Sequence, residues 1–179
     1  MRLHRLFIPL IAIVVFSLDQ ITKHLVTTNL ELNRSWYPFP FLKPLFALTY
    51  IHNTGAAFGI LQNQNLFFTV IAIVVIAFIL VSLRSTPSPD PVFALSMGLM
   101  LGGACGNLAD RLRYSYVIDF IHFKFWAISN LADVSISLGV VLLGYFLLFR
   151  VPPSAIKDTS TPVHEPSPSP AADTRSDDP

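Results

Sequence analysis

The run LFFTVIAIVVIAFILVSL, Leu66 to Leu83, carries no charge, and Thr69 and Ser82 are its only polar side chains. A helix needs about 20 such residues to cross ~30 Å of hydrocarbon. Three more apolar segments lie around it, at about Leu6–Val26, Val92–Ala109 and Val134–Phe149. The pattern predicts an all-α membrane bundle of four transmembrane helices. Composition agrees: 53% of the 179 residues are hydrophobic and 13% are charged, against about 25% charged in an ordinary soluble domain. Mean hydropathy is +0.57. Arg2 and Arg5 precede the first segment as they would in a signal peptide. No small-residue cleavage site follows and three further spans do, so the first segment reads as a retained helix.

A formal net charge of +1 gives no basic surface for nucleic acid. The single Cys105 excludes an internal disulfide and a cysteine-based metal cluster. It sits in GGACG with no flanking base, and reads as a packed small side chain. An even number of spans puts both termini on one side. The twelve Lys and Arg residues divide evenly between the two sides, so charge bias does not orient the bundle. Arg2 and Arg5 favour a cytoplasmic N-terminus.

The connections differ in character. RSTPSPDP, between the second and third spans, is a short Pro/Ser turn. The long first connection and the third-to-fourth connection both lie opposite the termini, and they hold nearly all the chemically capable residues. Within the first, PLFALTYI followed by NTG reads as a strand and a turn. Trp36, Tyr37, Phe39 and Phe41 suit a membrane–water interface. Two units follow: a membrane domain at 1–151, and a Pro/Ser/Asp-rich tail at 152–179 that cannot bury a core and is expected to be disordered.

Three polar clusters fall at one end of three spans. Asp19 and Lys23 are i,i+4 and share a helix face, as an ion pair or as a helix end anchored by a snorkelling lysine. Asn107 and Asp110 are i,i+3 beside Arg111; Asp110 has Arg111, Arg113 and Lys23 as candidate partners. Asp133 precedes VSISLGVV and suits an N-cap, with Asn130 one turn before it. Asp119, between Ile118 and Phe120, has no such role, and a carboxylate at the membrane is a functional hypothesis.

The five histidines form no Ser-His-Asp constellation, and H-E-x-x-H and phosphate-cradling glycine loops are absent. What remains is a pair of aspartates. Two close carboxylates share a proton, so one activates a water while the other protonates a leaving amine. An aspartyl-type hydrolase is one reading, and a proton-coupled transporter is another. A metal-dependent hydrolase built on Asp119, Asp133, His52 and His122 is a third, although His122 is i+3 from Asp119 and so not on its face of a strand.

SLDQITK, HNTGAAFGIL, GGACGNLADRL, VIDFI and SNLADVSI occur in that order around the four spans. Together they resemble the bacterial lipoprotein signal peptidase (signal peptidase II) family, from about Arg5 to Phe149. The resemblance implies an inner-membrane aspartyl endopeptidase with four helices, a small extracytoplasmic β-rich cradle and cytoplasmic termini. It would cleave diacylglyceryl-modified prolipoproteins just before the lipidated cysteine. It implies Asp119 and Asp133 as the catalytic pair. Asp19, Lys23, Asn53, Gly55, Asn107, Asp110, Arg111 and Asn130 would support the pair or contact substrate. No cofactor and no metal are implied; the partners are lipidated prolipoproteins and membrane lipids, and the chain is expected to be a monomer. Ser129 stands where the family usually has Phe, and the interval from Asp119 to Asp133 is short. The apolar flank of Phe120, Phe123, Phe125 and Trp126 would shield the site, touch acyl chains or face lipid.

Overall fold

A computed structural model describes residues 3–55, 61–85 and 90–150. The tail expected from 152 onward lies outside the described residues, as do parts of HNTGAAFGIL and RSTPSPDP. Four helices, α1 (Leu3–Asn29), α2 (Asn65–Ser85), α3 (Pro91–Tyr114) and α4 (Leu131–Phe149), are joined by three strands, β1 (Ser35–Trp36), β2 (Phe46–Asn53) and β3 (Val117–Phe123). All four helices are long and apolar enough to cross a membrane.

Their packing is that of a protein dissolved in lipid. On α1 the buried stripe is Ile8, Ala12, Val15, Asp19, Lys23 and Val26, while Leu10, Ile13, Val14, Leu18, Ile21 and Leu25 are exposed. Large apolar side chains point outward and charges point inward, the reverse of a soluble bundle, because the surrounding solvent is hydrocarbon. Three helices also extend beyond the apolar segments read from sequence: α1 to Asn29, α3 to Tyr114, and α4 back to Leu131. Asp110 and Asp133 are held by partners on neighbouring helices, whereas Thr27, Thr28 and Asn29 bond back to carbonyls of α1 itself.

Helix α3 is the centre, packed against α1, α2 and α4. Its buried face is made of small residues, among them Gly102, Gly103, Ala104 and Gly106. Helices without a hydrophobic drive between them gain from close backbone approach. A Cβ on Gly103 would lie 2.5 Å from the Ala132 carbonyl oxygen of α4. A Cβ on Gly106 would strike the Asp19 carboxylate of α1. Gly106→Ala is therefore expected to lose about 1–3 kcal/mol of stability, as overpacked cores do. Thermal unfolding in detergent measures this, and an unchanged midpoint would show that the helices separate freely there.

Helix α3 begins with Asp90 as N-cap, its carboxylate accepting the Val92 N–H at 2.8 Å, and Pro91 in the first turn. It ends at Ser115, which takes the left-handed conformation (φ 66°) that glycine usually fills. That turn reverses the chain into β3. The strands form one antiparallel sheet in the order β1-β2-β3. The register of β2 on β3 shifts between Leu48 and Ile51, so Ile51 lies opposite Asp119 and Asn53 opposite Val117. Asn53 is then the diagonal same-face neighbour of Asp119.

The segment read as an aromatic connection is thus a strand followed by a tight turn. Trp126 N–H bonds to the Phe123 carbonyl at 2.9 Å. Ser129 then pairs with Ile121 in both directions, at 2.7 and 3.0 Å. The short interval between Asp119 and Asp133 is closed by this turn, which sets Asn130 beside Asp119.

Candidate active site

Lys23 sets the ground plan. Its ammonium is only 2% exposed and donates to Asp19 Oδ2 (2.9 Å), Asp110 Oδ2 (2.8 Å) and Asn107 Oδ1 (3.1 Å). An ammonium has three N–H donors, and all three are used. The two carboxylates are also fully engaged. Asp19 Oδ1 accepts the Ala132 N–H (3.0 Å), one of the orphan donors in the first turn of α4. Asp110 Oδ2 accepts the Ile118 N–H (3.1 Å) of β3. One ion triad on α1 and α3 therefore fixes the start of α4 and the start of β3, the two elements that carry Asp133 and Asp119.

Asn107 passes the arrangement on. Its Oδ1 also accepts from Asn130 Nδ2 (3.1 Å), and its own Nδ2 donates to Asp133 Oδ1 (2.7 Å). Asn130 Nδ2 also reaches Asp119 Oδ1 (2.6 Å), while its backbone N–H donates to Asp133 Oδ2 (3.4 Å). Asn53 Nδ2 holds the other oxygen of Asp119 (2.7 Å), and Gly55 N–H fixes Asn53 by donating to its Oδ1 (3.0 Å). The ten residues singled out from sequence meet at one end of the bundle, opposite residues 3 and 150; nine of them are joined through these bonds, and Arg111 lies beside them on the cavity.

Two sequence expectations are corrected. Asp133 is not the N-cap of α4. Asn130 is the cap, its Oδ1 accepting the Asp133 N–H at 2.9 Å, and Asp133 is the third helical residue, whose carboxylate reaches back in a capping box. Asp119 is not an unpartnered carboxylate, since two side-chain amides hold it. These amides are neutral donors, and Asp119 is 1% exposed. Burial first, and the Asp133 charge second, raise its pKa to about 7, against the lowering effect of the Asn53 and Asn130 bonds.

A cavity of about 740 Å³ opens onto this end. Asp133, Arg111, Asn53 and Gly55 line its polar part; Phe68, Phe123, Trp126, Ile128, Leu138 and Val141 line its apolar part. Asp133 faces the cavity, and Asp119 lies behind it. Of the aromatic flank, Phe120 is buried, Phe123 and Trp126 line the cavity, and Phe125 is exposed. His52 and His122 are engaged elsewhere: His122 Nδ1 bonds to Thr49 Oγ1 (2.8 Å), and His52 Nε2 bonds to Tyr50 while its ring stacks on Tyr116. His122 points to the sheet face opposite Asp119, as the alternation requires.

Sequence reasoning left Gln20 without a role. Its amide donates to both Asp19 Oδ2 (3.2 Å) and Asp110 Oδ1 (3.1 Å), and accepts from Arg113 (3.0 Å). Its place next to Asp19 was the available signal. Phe68, beneath Arg111, gave none, because its role depends on how α2 docks on α3.

The signal peptidase (SPase) II family model matches residues 11–149. The lipoprotein signal peptidase of Moorella thermoacetica is 44% identical over 139 residues, 78% of this chain and 91% of that protein. That of Caldanaerobacter subterraneus is 45% identical over 144 residues, 80% and 96% of the two chains. Two solved structures, each described as a bacterial membrane enzyme, superpose with a TM-score of 0.70. They are 28% and 30% identical and cover 88% and 79% of this chain, and 92% of their own. With the match running through all four helices and every strand, the chain belongs to the signal peptidase II family.

Proposed function

We propose that this chain is a membrane aspartyl endopeptidase that removes the signal peptide from diacylglyceryl-modified prolipoproteins, with Asp119 and Asp133 as its catalytic pair. The observation that carries the reading is the asymmetry of the two acids. Asp119 is buried, held by two neutral amides, with a pKa raised to about 7. Asp133 opens on the cavity, next to Arg111. Asp119 holds the shared proton and Asp133 takes a proton from the attacking water. The water oxygen bonds to the scissile carbonyl carbon, and the tetrahedral intermediate collapses as the amine leaves with a proton from the pair. No covalent acyl-enzyme forms.

The sheet then serves as an extracytoplasmic cradle, and the termini are cytoplasmic. A diacylglyceryl cysteine anchored in the outer leaflet brings its scissile bond to the depth at which polar residues cluster in α1, α3 and α4. The apolar half of the cavity suits an acyl or signal-peptide surface next to the acids. The chain is taken to act as a monomer, because the ten residues already meet within one chain and need no second copy to complete the network. Purified protein in detergent is expected to release the signal peptide from a diacylglyceryl-modified prolipoprotein and to leave the unmodified precursor intact. Equal cleavage of both would remove the lipid requirement, and cleavage of neither would remove the peptidase reading.

A further inference from the structure

Arg111 stands in the field of three aspartates, in order Asp133, Asp119 and Asp110. Yet among the described residues it forms no ion pair. Its one hydrogen bond, to the Asn107 carbonyl one turn back on its own helix, is long at 3.4 Å. Its guanidinium lies over the ring of Phe68 on α2, 5.5 Å from the centroid. Phe68 is half-buried, and the Phe67 ring meets it edge-on with centroids 5.3 Å apart. Phe68 and Arg111 both line the cavity.

From this geometry we infer that Phe68 is a positioning residue that keeps Arg111 unpaired and turned toward the substrate peptide. A guanidinium held over a ring by cation–π attraction spends no N–H donor on a carboxylate, and the donors left beyond the Asn107 bond match a pair of peptide carbonyls or other planar acceptors. Attraction to a ring face is weaker than pairing with a carboxylate, so the stack holds the cation without neutralising it. Without the ring, Arg111 is left on the cavity with the Asp133 carboxylate, the acid that acts on it most strongly. Pairing there would occupy the substrate-facing donors and a catalytic oxygen together. Among the described residues, α2 contributes no polar side chain to the network, and Phe68 is its residue on the cavity.

The inference rests on the peptidase reading, and its test separates the two. Phe68→Leu removes the ring at similar bulk, and Phe68→Tyr keeps it. Phe68→Leu is expected to raise KM for a diacylglyceryl-modified prolipoprotein about tenfold with a smaller loss in kcat, and Phe68→Tyr to stay within about twofold of wild type. Binding of the same dye-labelled precursor to uncleaving Asp119→Asn enzyme is then measured with and without Phe68→Leu, in the Arg111 and the Arg111→Lys backgrounds. Lys cannot present a stacked planar fork, so the cost of Phe68→Leu is expected to shrink below about twofold there. An equal cost in both backgrounds would assign Phe68 to direct substrate contact and overturn the inference. So would a loss as large in Phe68→Tyr as in Phe68→Leu, or a loss of thermal stability in place of affinity. A wild-type enzyme that fails to cleave the precursor refutes the peptidase reading instead.

Discussion

Asp119→Asn and Asp133→Asn are each expected to lower cleavage of a lipidated prolipoprotein by roughly 10⁴-fold or more, while both proteins accumulate and insert normally. The size follows from what an amide lacks. It cannot take a proton from water, and it cannot give one to a leaving amine, so either substitution removes the pair as a unit. Accumulation follows from the surroundings. Asp119 accepts from two side-chain amides, and Asn keeps one acceptor oxygen with almost the same shape. The Asp133 bonds from Asn107 and from the Asn130 backbone also reach neutral donors. Neither acid is an ion-pair partner of the buried Lys23, whose counter-charges Asp19 and Asp110 remain in both variants. Cleavage rates per folded molecule in detergent decide the matter, and wild-type turnover in either variant would exclude that acid from the chemistry.

Lys23→Ala has the second largest expected effect, and here stability and turnover fall together. Asp19 and Asp110 are both fully buried around the ammonium. Removing one partner of a buried ion pair typically costs about 3–5 kcal/mol, because the remaining charge is left without compensation. The loss reaches the acids through bonds already described. Asp19 holds the first turn of α4, Asp110 holds the start of β3, and Lys23 shares the Asn107 oxygen with Asn130. A shift of one ångström in either carboxylate of the proposed pair is enough to lose about 10²-fold in rate. Turnover per folded molecule, with thermal stability alongside, separates the two effects. Wild-type turnover in a destabilised Lys23→Ala enzyme would make the triad a structural staple only.

Hydropathy made the four helices legible, because an apolar run as long as Leu66–Leu83 has few other uses. It misplaced three of their ends. Polarity marked Asp110 and Asp133 as boundaries, whereas partners on neighbouring helices keep them helical. The sheet was half visible: alternation in PLFALTYI gave β2. The strand Val117–Phe123 was hidden because its residues are buried on both faces near Asp119, and alternation disappears there. The ten candidate site residues were singled out mainly through the ordered motifs. Composition alone explained Asp133 as an N-cap and Asp19 with Lys23 as an interfacial pair, and both local readings hold part of the truth. Asp133 is in a capping box, and Lys23 does pair with Asp19. What one helix cannot settle is which partner is used, since Arg111, Arg113 and Lys23 were all open to Asp110. Asp110 completes the triad from 87 residues away along the chain, and Phe68 reaches Arg111 across the α2–α3 contact.

The dependence of kcat/KM on pH tests the central claim most directly, that Asp119 and Asp133 work as a pair sharing one proton. Asp119 is raised to about 7 by burial and by the charge of Asp133. An acid raised to that value keeps its proton below it and loses it as pH climbs through it, after which both acids are ionised and neither can protonate the leaving amine. The predicted result is an alkaline limb beginning near pH 7, falling about tenfold per pH unit, measured with a diacylglyceryl-modified prolipoprotein in detergent where the enzyme stays folded. A kcat/KM that stays flat from about pH 6 to pH 9 would contradict it, since no proton held by the pair would then be needed for cleavage.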